Sequence, residues 1–377
     1  MSRPRILIIE NSIAVTGALV SIVRSCRDLK EHFDFFFVLP KKSMALDYVQ
    51  KAGFPVYEFP LKEIRKSLSV LLYIPYLVAN TIRLSNLVSS LKIDLINVND
   101  FYNLMAATYR LFGGKVPFVC YVRFLPSKFP QALVKIWSLT QDRFARKVIC
   151  VSNAVRTQLP FTKKVVVIGN ELPEHSIAFQ PQNSEILLYP ANYIRGKGQE
   201  YALESFALIH AKYPEWKLRF IGGDMGLSKN RHFKAVLIEK SKTLGLENQV
   251  EWYDFSENIT IHYLNAAIVL NFSESESFSM TCLEALYCGR PVIATRCGGP
   301  EEIIDDNISG QLVNLGDVKG MAAAIEHLIS SPSTREKMGA KGYLDVREKF
   351  SFEKTGKKLL DVYNSALRPH SFDTGKK

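Results

Sequence analysis

The stretch from Ala266 to Pro300, AAIVLNFSESESFSMTCLEALYCGRPVIATRCGGP, determines the fold that this sequence predicts. AAIVLNFS and RPVIATR are apolar runs of strand length, and MTCLEALYCG between them indicates a short helix that Gly289 ends. Strands buried on both faces of a sheet are continuous apolar runs, and a right-handed crossover places both linking loops at the carboxyl edge of a parallel sheet. Because ligands of open α/β sheets bind at that edge, the loops SESESFS and CGGP are the first candidates for a site.

The same alternation of strand-length apolar runs and helical patterns occurs twice along the chain. RILIIE begins the first series and ILLYPAN begins the second, and the polar segment HSIAFQPQNSE between them is typical of a linker. At 377 residues, two domains are also the expected number. The sequence therefore predicts two doubly wound parallel-sheet domains, residues 1–172 and 173–351. Residues 352–377 are expected to form a terminal amphipathic helix, which packs back on the first domain, and a tail.

Composition favours an ordinary globular protein of a reducing compartment. The six cysteines have neither metal-ligand nor disulfide-framework spacing, which predicts reduced thiols and a cytoplasmic location. MSRPRILIIE has too few consecutive apolar residues for a signal peptide and predicts a first strand. The apolar segment at 68–80 is shorter than a membrane span and contains Pro75, so we expect a packed helix, with a segment that touches a bilayer surface as the alternative.

The net charge of +11 is unevenly distributed. Residues 1–172 hold 24 of the 48 Lys and Arg but only 11 of the 37 Asp and Glu, so this half carries +13 and the rest −2. Such asymmetry indicates contact of the first half with an acidic partner such as anionic lipid or a phosphorylated acceptor, with simple solubility as the alternative. Zinc-finger, helix-turn-helix and aromatic RNA-binding patterns are absent from the sequence, which argues against nucleic acid.

Two glutamates in the opening stretch carry the strongest chemical signal. Glu276 lies among apolar strand ends, where a carboxylate needs a partner and can accept hydrogen bonds from sugar hydroxyls. Glu284 lies in the otherwise apolar helix that follows, where a buried charge must be paired or bound to a polar ligand such as a ribose diol. The serines before that helix suit a diphosphate at a helix start, although they are equally typical helix caps.

Weaker signals lie in three other loops. Gly298 and Gly299 let the backbone approach a ligand closely, and Arg195 and Lys197 in RGKGQ flank a glycine where a helix begins. Gly17 opens the helix after the first strand, where a plain turn glycine is the alternative. The sequence contains no GxGxxG turn, no P-loop and no His or Asp cluster, so we expect neither a nicotinamide cofactor nor a metal.

Taken in order, these motifs resemble the retaining glycosyltransferases of family 4. The resemblance rests on the run from Ser273 to Gly310 with both glutamates, and it extends over nearly the whole chain through Gly17, Ser152 and Lys197. It implies the GT-B fold, in which two Rossmann-like domains face a central cleft. It also implies a nucleoside-diphosphate sugar, linked to UDP or GDP, as donor substrate, with no cofactor.

The resemblance assigns roles to individual residues. Glu276 would contact the donor sugar, Lys197 would neutralise the departing diphosphate, and Glu284 would bind the ribose. The backbone near the helix start and the Gly-Gly turn would hold the diphosphate and sugar; these donor-binding positions are Ser277, Phe278, Ser279, Met280, Gly17, Gly298 and Gly299.

This chain departs from the family pattern at two positions. Asn192 stands where relatives often carry an arginine, so Arg195 is the candidate second cation. Arg123 stands where many relatives carry a histidine, and because a guanidinium does not deprotonate it is expected to bind phosphate or acceptor and not to act as a base.

The resulting prediction is a hexosyltransferase that acts on a glycan or lipid-linked acceptor in surface polysaccharide, lipopolysaccharide or glycolipid synthesis. It would be cytoplasmic, with peripheral contact between its basic first half and an anionic membrane. Two rival functions are a sugar-nucleotide 2-epimerase and a non-catalytic sugar-nucleotide-binding partner of another transferase.

Overall fold

The computed structural model describes residues 2–61, 69–161, 163–172, 177–181 and 183–368, and of residues 69–72 it describes the backbone alone. The chain divides into two compact units. The first unit comprises Met1–Glu171 with Phe352–Lys377, and the second unit comprises Leu172–Ser351. The binding roles that the sequence assigns to the two halves stay predictions.

The first unit is built on a seven-stranded parallel sheet. Its strands are β1 (Arg5–Ile9), β2 (Asp34–Pro40), β3 (Val56–Phe59), β4 (Leu95–Val98), β5 (Phe118–Val122), β6 (Lys147–Cys150) and β7 (Val165–Val167). They lie in the order β3-β2-β1-β4-β5-β6-β7, so the direction of winding reverses between β1 and β4. Strands β4 and β5 are buried throughout, as their continuous apolar sequences predict.

In the described part of the first unit, six α-helices connect these strands. They are α1 (Gly17–Asp28), α2 (Leu46–Lys51), α3 (Ser69–Leu91), α4 (Met105–Leu111), α5 (Gln131–Phe144) and α6 (Asn153–Arg156). Residues 69–80 of the apolar segment 68–80 lie in α3, so this part is helical, as predicted, even though α3 contains Pro75. Residue 68 lies outside the described residues. No helix in the described part of the chain is long and apolar enough to span a membrane.

The second unit repeats this plan with six parallel strands. They are β8 (Ile186–Pro190), β9 (Lys217–Ile221), β10 (Val250–Tyr253), β11 (Ile268–Asn271), β12 (Val292–Thr295) and β13 (Gly310–Val313). The order is β10-β9-β8-β11-β12-β13, so β8 and β11 are neighbours although about 80 residues separate them in sequence. The loops that follow these two strands therefore meet at the carboxyl edge of the sheet, where the winding reverses.

The helices of the second unit are α7 (Gln199–Ala207), α8 (Ser228–Thr243), α9 (Ile259–Leu264), α10 (Met280–Tyr287), α11 (Pro300–Ile303), α12 (Val318–Ser330) and α13 (Pro332–Lys349). Helix α7 ends at Ala207, and a 3-10 turn at His210–Lys212 follows it. Gly289 ends α10 as predicted: its φ is +71°, and Arg290 N–H donates to Ala285 C=O at 2.9 Å.

The final helix α14 (Lys357–Leu367) belongs to the first unit, where it packs against β4 and β5. Its buried side chains lie at helical spacing, and Tyr363 donates a hydrogen bond to Asn97 of β4 at 3.3 Å. The predicted tail after it lies outside the described residues. The α/β class and the two Rossmann-like parallel sheets that the sequence predicted are confirmed.

Candidate functional site

The loop between β8 and α7 can follow its path only because it contains two glycines. Gly196 and Gly198 have φ angles of +86° and +79°, which side-chain-bearing residues rarely adopt. A Cβ atom on Gly198 would lie 2.0 Å from the carbonyl oxygen of Phe272, the residue that follows β11. The loop is thus pressed against the end of β11, and Lys197 is held between the two glycines.

A buried tyrosine fixes the backbone of Lys197. The Tyr189 hydroxyl donates to the Lys197 carbonyl at 2.6 Å and accepts from the Phe272 amide at 2.8 Å. Burial raises the pKa of Tyr189 well above its usual value, so the hydroxyl keeps the proton that it donates. This single side chain joins the ends of the two strands at which the winding of the sheet reverses.

The Lys197 ammonium forms an ion pair with Glu276. Its Nζ lies 2.7 Å from Glu276 Oε1, and the two side chains are 34% and 16% exposed. Burial by itself lowers the pKa of Lys197, but the charge and hydrogen bond of Glu276 outweigh it, so the pKa is raised above its ordinary value. A cation and a carboxylate are therefore fixed together at the edge of the sheet and stay partly open to solvent.

The Gly-Gly turn is joined to the Glu276 loop by its backbone. Glu276 N–H donates to Cys297 C=O at 3.2 Å, and Gly299 N–H donates to Glu276 C=O at 2.7 Å. A Cβ atom on Gly299 would lie 2.2 Å from the Phe278 carbonyl oxygen, so glycine is required for this approach. The two loops that the sequence placed at one edge do meet.

The amide of Gly298 already has a protein acceptor. Its N–H donates to the Glu301 carboxylate at 3.0 Å, and the Cys297 N–H reaches the same carboxylate at 3.2 Å. Glu301 is exposed, so a ligand can replace it only by displacing its side chain from both amides. Sequence reasoning missed Glu301, although an acid two residues after a Gly-Gly turn is a recognisable signal for such a cap.

Ser279 begins helix α10 in an unusual backbone conformation. Its φ is +81°, and its hydroxyl accepts from the Cys282 amide at 3.3 Å and from Asn271 Nδ2 at 2.7 Å. Such a conformation in a serine costs on the order of 1–3 kcal/mol, a type of strain that clusters at functional sites. Of the loop serines, Ser279 is the observed cap.

The other donor-binding candidates surround this helix start. The Phe278 side chain is buried against Phe350, with ring centroids 5.4 Å apart, so only its backbone can serve a ligand. Ser277 and Met280 on either side are half-buried. The role of this backbone in holding a diphosphate stays a prediction.

Glu284 lies half-buried on α10, facing the buried Tyr263 of α9. Burial, and next the charge of Glu284, raise the pKa of the Tyr263 hydroxyl well above its usual value. Helix α10 is tied to the end of β8, since the Thr281 hydroxyl donates to Pro190 C=O at 3.2 Å. Glu284 is therefore placed on the same helix that Ser279 begins, and its predicted contact with ribose stays a prediction.

Arg195 takes a different direction from Lys197. Its side chain is 69% exposed, lies 3.7 Å from the Glu200 carboxylate and stacks over the Phe233 ring at 4.9 Å. The structure thus pairs Lys197 with Glu276 and places Arg195 on a neighbouring helix surface. The role of Arg195 as a second cation stays a prediction.

In the first unit, Arg123 is the centre of a polar network after β5. Its Nε donates to Asn99 Oδ1 at 2.7 Å, and its Nη1 donates to Asn170 Oδ1 at 3.0 Å and approaches Ser21 Oγ at 3.4 Å. The guanidinium also lies over the Tyr121 ring at 4.1 Å. Several of its donors are therefore engaged by the protein, which the sequence did not indicate.

Two acids lie at the edge of the first sheet beside this network. Glu10 follows β1 and accepts from both the amide and the hydroxyl of Ser12, while its other oxygen contacts Asn99. Burial, and next the charge of Glu10, raise the pKa of Asp100 to about 8. Sequence reasoning missed both acids, although Glu10 directly follows β1 and Asp100 comes two residues after β4, where polar side chains collect in this fold.

Gly17 is exposed and is the first residue of α1, directly after the cap residue Thr16. It opens the helix after the first strand, as predicted, and its contact with the donor stays a prediction. Among the described residues, no group of three or more His, Cys, Asp or Glu side chains is arranged to hold a metal ion.

The fold defines the class of this protein. HepE of Anabaena, solved in complex with UDP and glucose, superposes with a TM-score of 0.83 at 20% identity, over 96% of this chain and 99% of that chain. Identity at this level shows the fold, and the fold is GT-B.

Two family models identify the chain more narrowly. The model described as Glycosyltransferase Family 4 matches residues 15–170, and the model described as Glycosyl transferases group 1 matches residues 173–345. The chain belongs to the family 4 glycosyltransferases.

Curated relatives agree with this family. The alpha-1,3/1,6-mannosyltransferase ALG2 of Dictyostelium discoideum is 34% identical over 45% of this chain and 43% of its own length. An uncharacterized glycosyltransferase of Haemophilus influenzae is 22% identical over 73% of this chain and 77% of its own. The chain spans about half the length of most of the curated relatives it matches.

Proposed function

We propose that this protein transfers a hexose from a nucleoside-diphosphate sugar to a glycan or lipid-linked acceptor, with retention of the anomeric configuration. The observation that carries this proposal is the Lys197–Glu276 ion pair at the reversal of the second sheet, beside the strained start of α10. Ligands of doubly wound sheets bind at such reversals. In this pair, Lys197 would serve the diphosphate of the donor and Glu276 would serve its sugar.

The chemistry follows from where charge develops. Departure of a nucleoside diphosphate builds negative charge on phosphate oxygens, and a cation fixed in advance stabilises that charge where it forms. Lys197 can do so because its raised pKa keeps it protonated, and because the ammonium has two N–H donors beyond the one that Glu276 accepts. Glu276 Oε2 is then the acceptor for sugar hydroxyls.

The remaining roles are assigned by position around this pair. The backbone from Phe278 to Met280 would hold the diphosphate at the start of α10, and Glu284 would bind the ribose. Gly298 and Gly299 would line the sugar, with Glu301 leaving the Gly298 amide when the donor enters. In retention by front-face attack, the acceptor hydroxyl bonds to the anomeric carbon as the bond to the phosphate breaks, and its proton passes to the departing phosphate.

The donor is proposed to be linked to UDP or GDP, and the fold shared with HepE, which was solved with UDP, supports UDP as the first choice. In the first unit, Gly17 would approach the donor, and Arg123 would bind phosphate or the acceptor. We propose a cytoplasmic protein with peripheral contact to an anionic membrane, in surface polysaccharide, lipopolysaccharide or glycolipid synthesis, because its first half is strongly basic. No metal is required in this scheme, so transfer should persist in excess EDTA.

A panel of UDP- and GDP-sugars, assayed for binding, hydrolysis and transfer, tests the proposal. Glu276→Gln should lower kcat by about 100-fold while the protein still folds, since it removes a charge that acts in the transition state. Glu274→Gln is the matched control, because Glu274 lies two residues away in the same loop and is exposed. Absence of binding across the whole panel would refute the proposal.

The same panel separates the two rival functions. A 2-epimerase would change the sugar of the donor without an acceptor, which NMR of the donor alone detects. A non-catalytic partner would bind a donor tightly and turn over with none of the acceptors. Glu284→Ala should weaken binding of free UDP, whereas Glu276→Gln should leave it unchanged.

A further inference from the structure

The surface of the first unit formed by α3, α4 and α5 is unusual in charge. Between Ser69 and Asn170 the chain has 13 Lys and Arg but only three Asp and no Glu. Of these three aspartates, Asp94 lies immediately before β4 and Asp100 lies two residues after it. Only Asp142 lies on one of the three helices. Helix α3 packs against α4, and α4 packs against α5, so the three form one layer on the sheet.

The outward side of this layer also exposes large apolar side chains. We call it the α3–α5 surface and define it by the exposed apolar residues Ile82, Leu111, Phe112, Ile136 and Leu139 and the exposed cations Arg83, Lys115, Lys135 and Arg143. On α5 these residues recur at helical spacing, from Lys135 through Leu139 to Arg143, and so lie on one face. The surface thus combines exposed large apolar side chains with an excess of positive charge, and a contiguous apolar patch of this kind indicates an interaction site.

We propose that the α3–α5 surface docks on the anionic surface of a lipid bilayer. Apolar side chains on such a face enter the boundary between headgroups and acyl chains, while cations around them pair with anionic headgroups. Both features of the surface are used in this arrangement. The inference extends the proposed function, because a lipid-linked acceptor would then be presented to the protein at the membrane that holds it.

Other partners of opposite charge fit the surface less well. A nucleic acid would engage the cations but leave Leu111, Phe112 and Leu139 facing water. An acidic protein would have to bury Lys135 near the centre of the contact, whereas lysine is depleted in the cores of protein interfaces. A bilayer leaves the flexible cations at the headgroup level while the apolar side chains lie deeper.

Vesicle co-sedimentation of the purified full chain tests the proposal. We expect strong partitioning onto phosphatidylcholine vesicles that contain phosphatidylglycerol and weak partitioning onto pure phosphatidylcholine. The double variant Lys135→Ala/Leu139→Ser should lower the partition coefficient by roughly tenfold or more, because it removes one cation and one inserted side chain.

The second unit offers a matched control. Lys337 and Leu344 are exposed and lie seven residues apart on α13, and Leu344 is 62% exposed against 63% for Leu139. Lys337→Ala/Leu344→Ser should partition like the unchanged protein. The pair Ile136→Ser/Arg143→Ala tests the same face of α5 a second time if the first variant proves unstable.

Three results would overturn the proposal: equal partitioning onto both kinds of vesicle, full partitioning of both α5 variants, or an equal loss in the α13 variant. Binding of UDP-sugars by the same variants keeps the two proposals apart. Vesicle binding without donor binding would count against the transferase function alone. Donor binding without vesicle binding would count against membrane docking alone.

Discussion

Replacing Tyr189 by phenylalanine removes the buried hydroxyl that bridges the Lys197 carbonyl, in the loop after β8, and the Phe272 amide at the end of β11. The Phe272 amide then loses its acceptor, at 2.8 Å, and the Lys197 carbonyl loses its donor, at 2.6 Å. A buried polar group left without a partner costs about 1–3 kcal/mol. Because the Lys197 carbonyl keeps a longer contact with the Ser273 hydroxyl at 3.5 Å, we expect a total cost of roughly 2–4 kcal/mol.

Tyr193→Phe is the matched control for this substitution. Tyr193 lies in the loop that follows β8 and is as buried as Tyr189, but its hydroxyl donates to Tyr253 C=O at 3.2 Å, away from Lys197. The Tyr253 carbonyl also accepts a hydrogen bond from the Gly222 amide at 3.4 Å. Loss of the Tyr193 hydroxyl therefore leaves this carbonyl with a donor and should cost only about 1 kcal/mol. The aromatic ring, and hence most of the packing, is kept in both variants.

Hydrogen exchange of the Phe272 amide measures the effect where it arises. We expect this amide to exchange faster in Tyr189→Phe and to stay protected in Tyr193→Phe. Transfer activity should fall by about tenfold in kcat with little change in KM, since the Lys197 backbone loses its anchor but the donor contacts stay. Unchanged exchange at Phe272, or equal activity loss in both variants, would refute the positioning role of Tyr189.

Three further substitutions follow from the same structure. Gly198→Ala should destabilise the second unit far more than Gly245→Ala, as differential scanning calorimetry can measure. Both glycines have positive φ, but only at Gly198 would the new Cβ meet backbone, at 2.0 Å from the Phe272 carbonyl oxygen. Arg123→Lys should lower the melting temperature of the first unit by several degrees, because one ammonium cannot reach all the acceptors that the planar guanidinium holds; an unchanged melting temperature would contradict this. Asp100 has a pKa of about 8 in the folded protein against 3.8 ordinarily, so between these values the folded state binds a proton that the unfolded chain releases. Stability should therefore fall as pH rises through that window, and Asp100→Asn should flatten the slope in urea titrations at several pH values.

The sequence predicted the sheets better than their edges. β8, β11 and β12 are buried on both faces, and their continuous apolar runs are an unambiguous signal. β3 is a four-residue edge strand in which Glu58 is exposed, and no such run marks it. Local patterns therefore revealed the strands that position the site and missed a strand that does not.

The sequence placed Lys197 and Glu276 at one edge of a sheet but did not predict that they pair. Pairing depends on β8 and β11 being neighbours, which is a long-range consequence of strand order. Only the family resemblance distinguished Lys197 from Arg195, because the loop that directs the two side chains depends on the positive φ angles at Gly196 and Gly198. Such features arise from tertiary packing and leave no periodic signal in the chain.

The departure from the family pattern at Asn192 has a physical explanation in the neighbouring loop. Asn192 Oδ1 accepts a hydrogen bond from the Gly223 amide at 2.9 Å, where the chain after β9 passes close to the chain after β8. An arginine has donors but no acceptor, so in its place the Gly223 amide would lose this bond. Asparagine at this position thus stabilises the loop at the expense of a cation. In the proposed mechanism, the ammonium of Lys197 and the backbone at the start of α10 then stabilise the departing diphosphate, with Arg195 as the candidate second cation. If that inference is correct, Lys197→Met should abolish transfer, and Asn192→Arg should lower stability without restoring it in the Lys197→Met background.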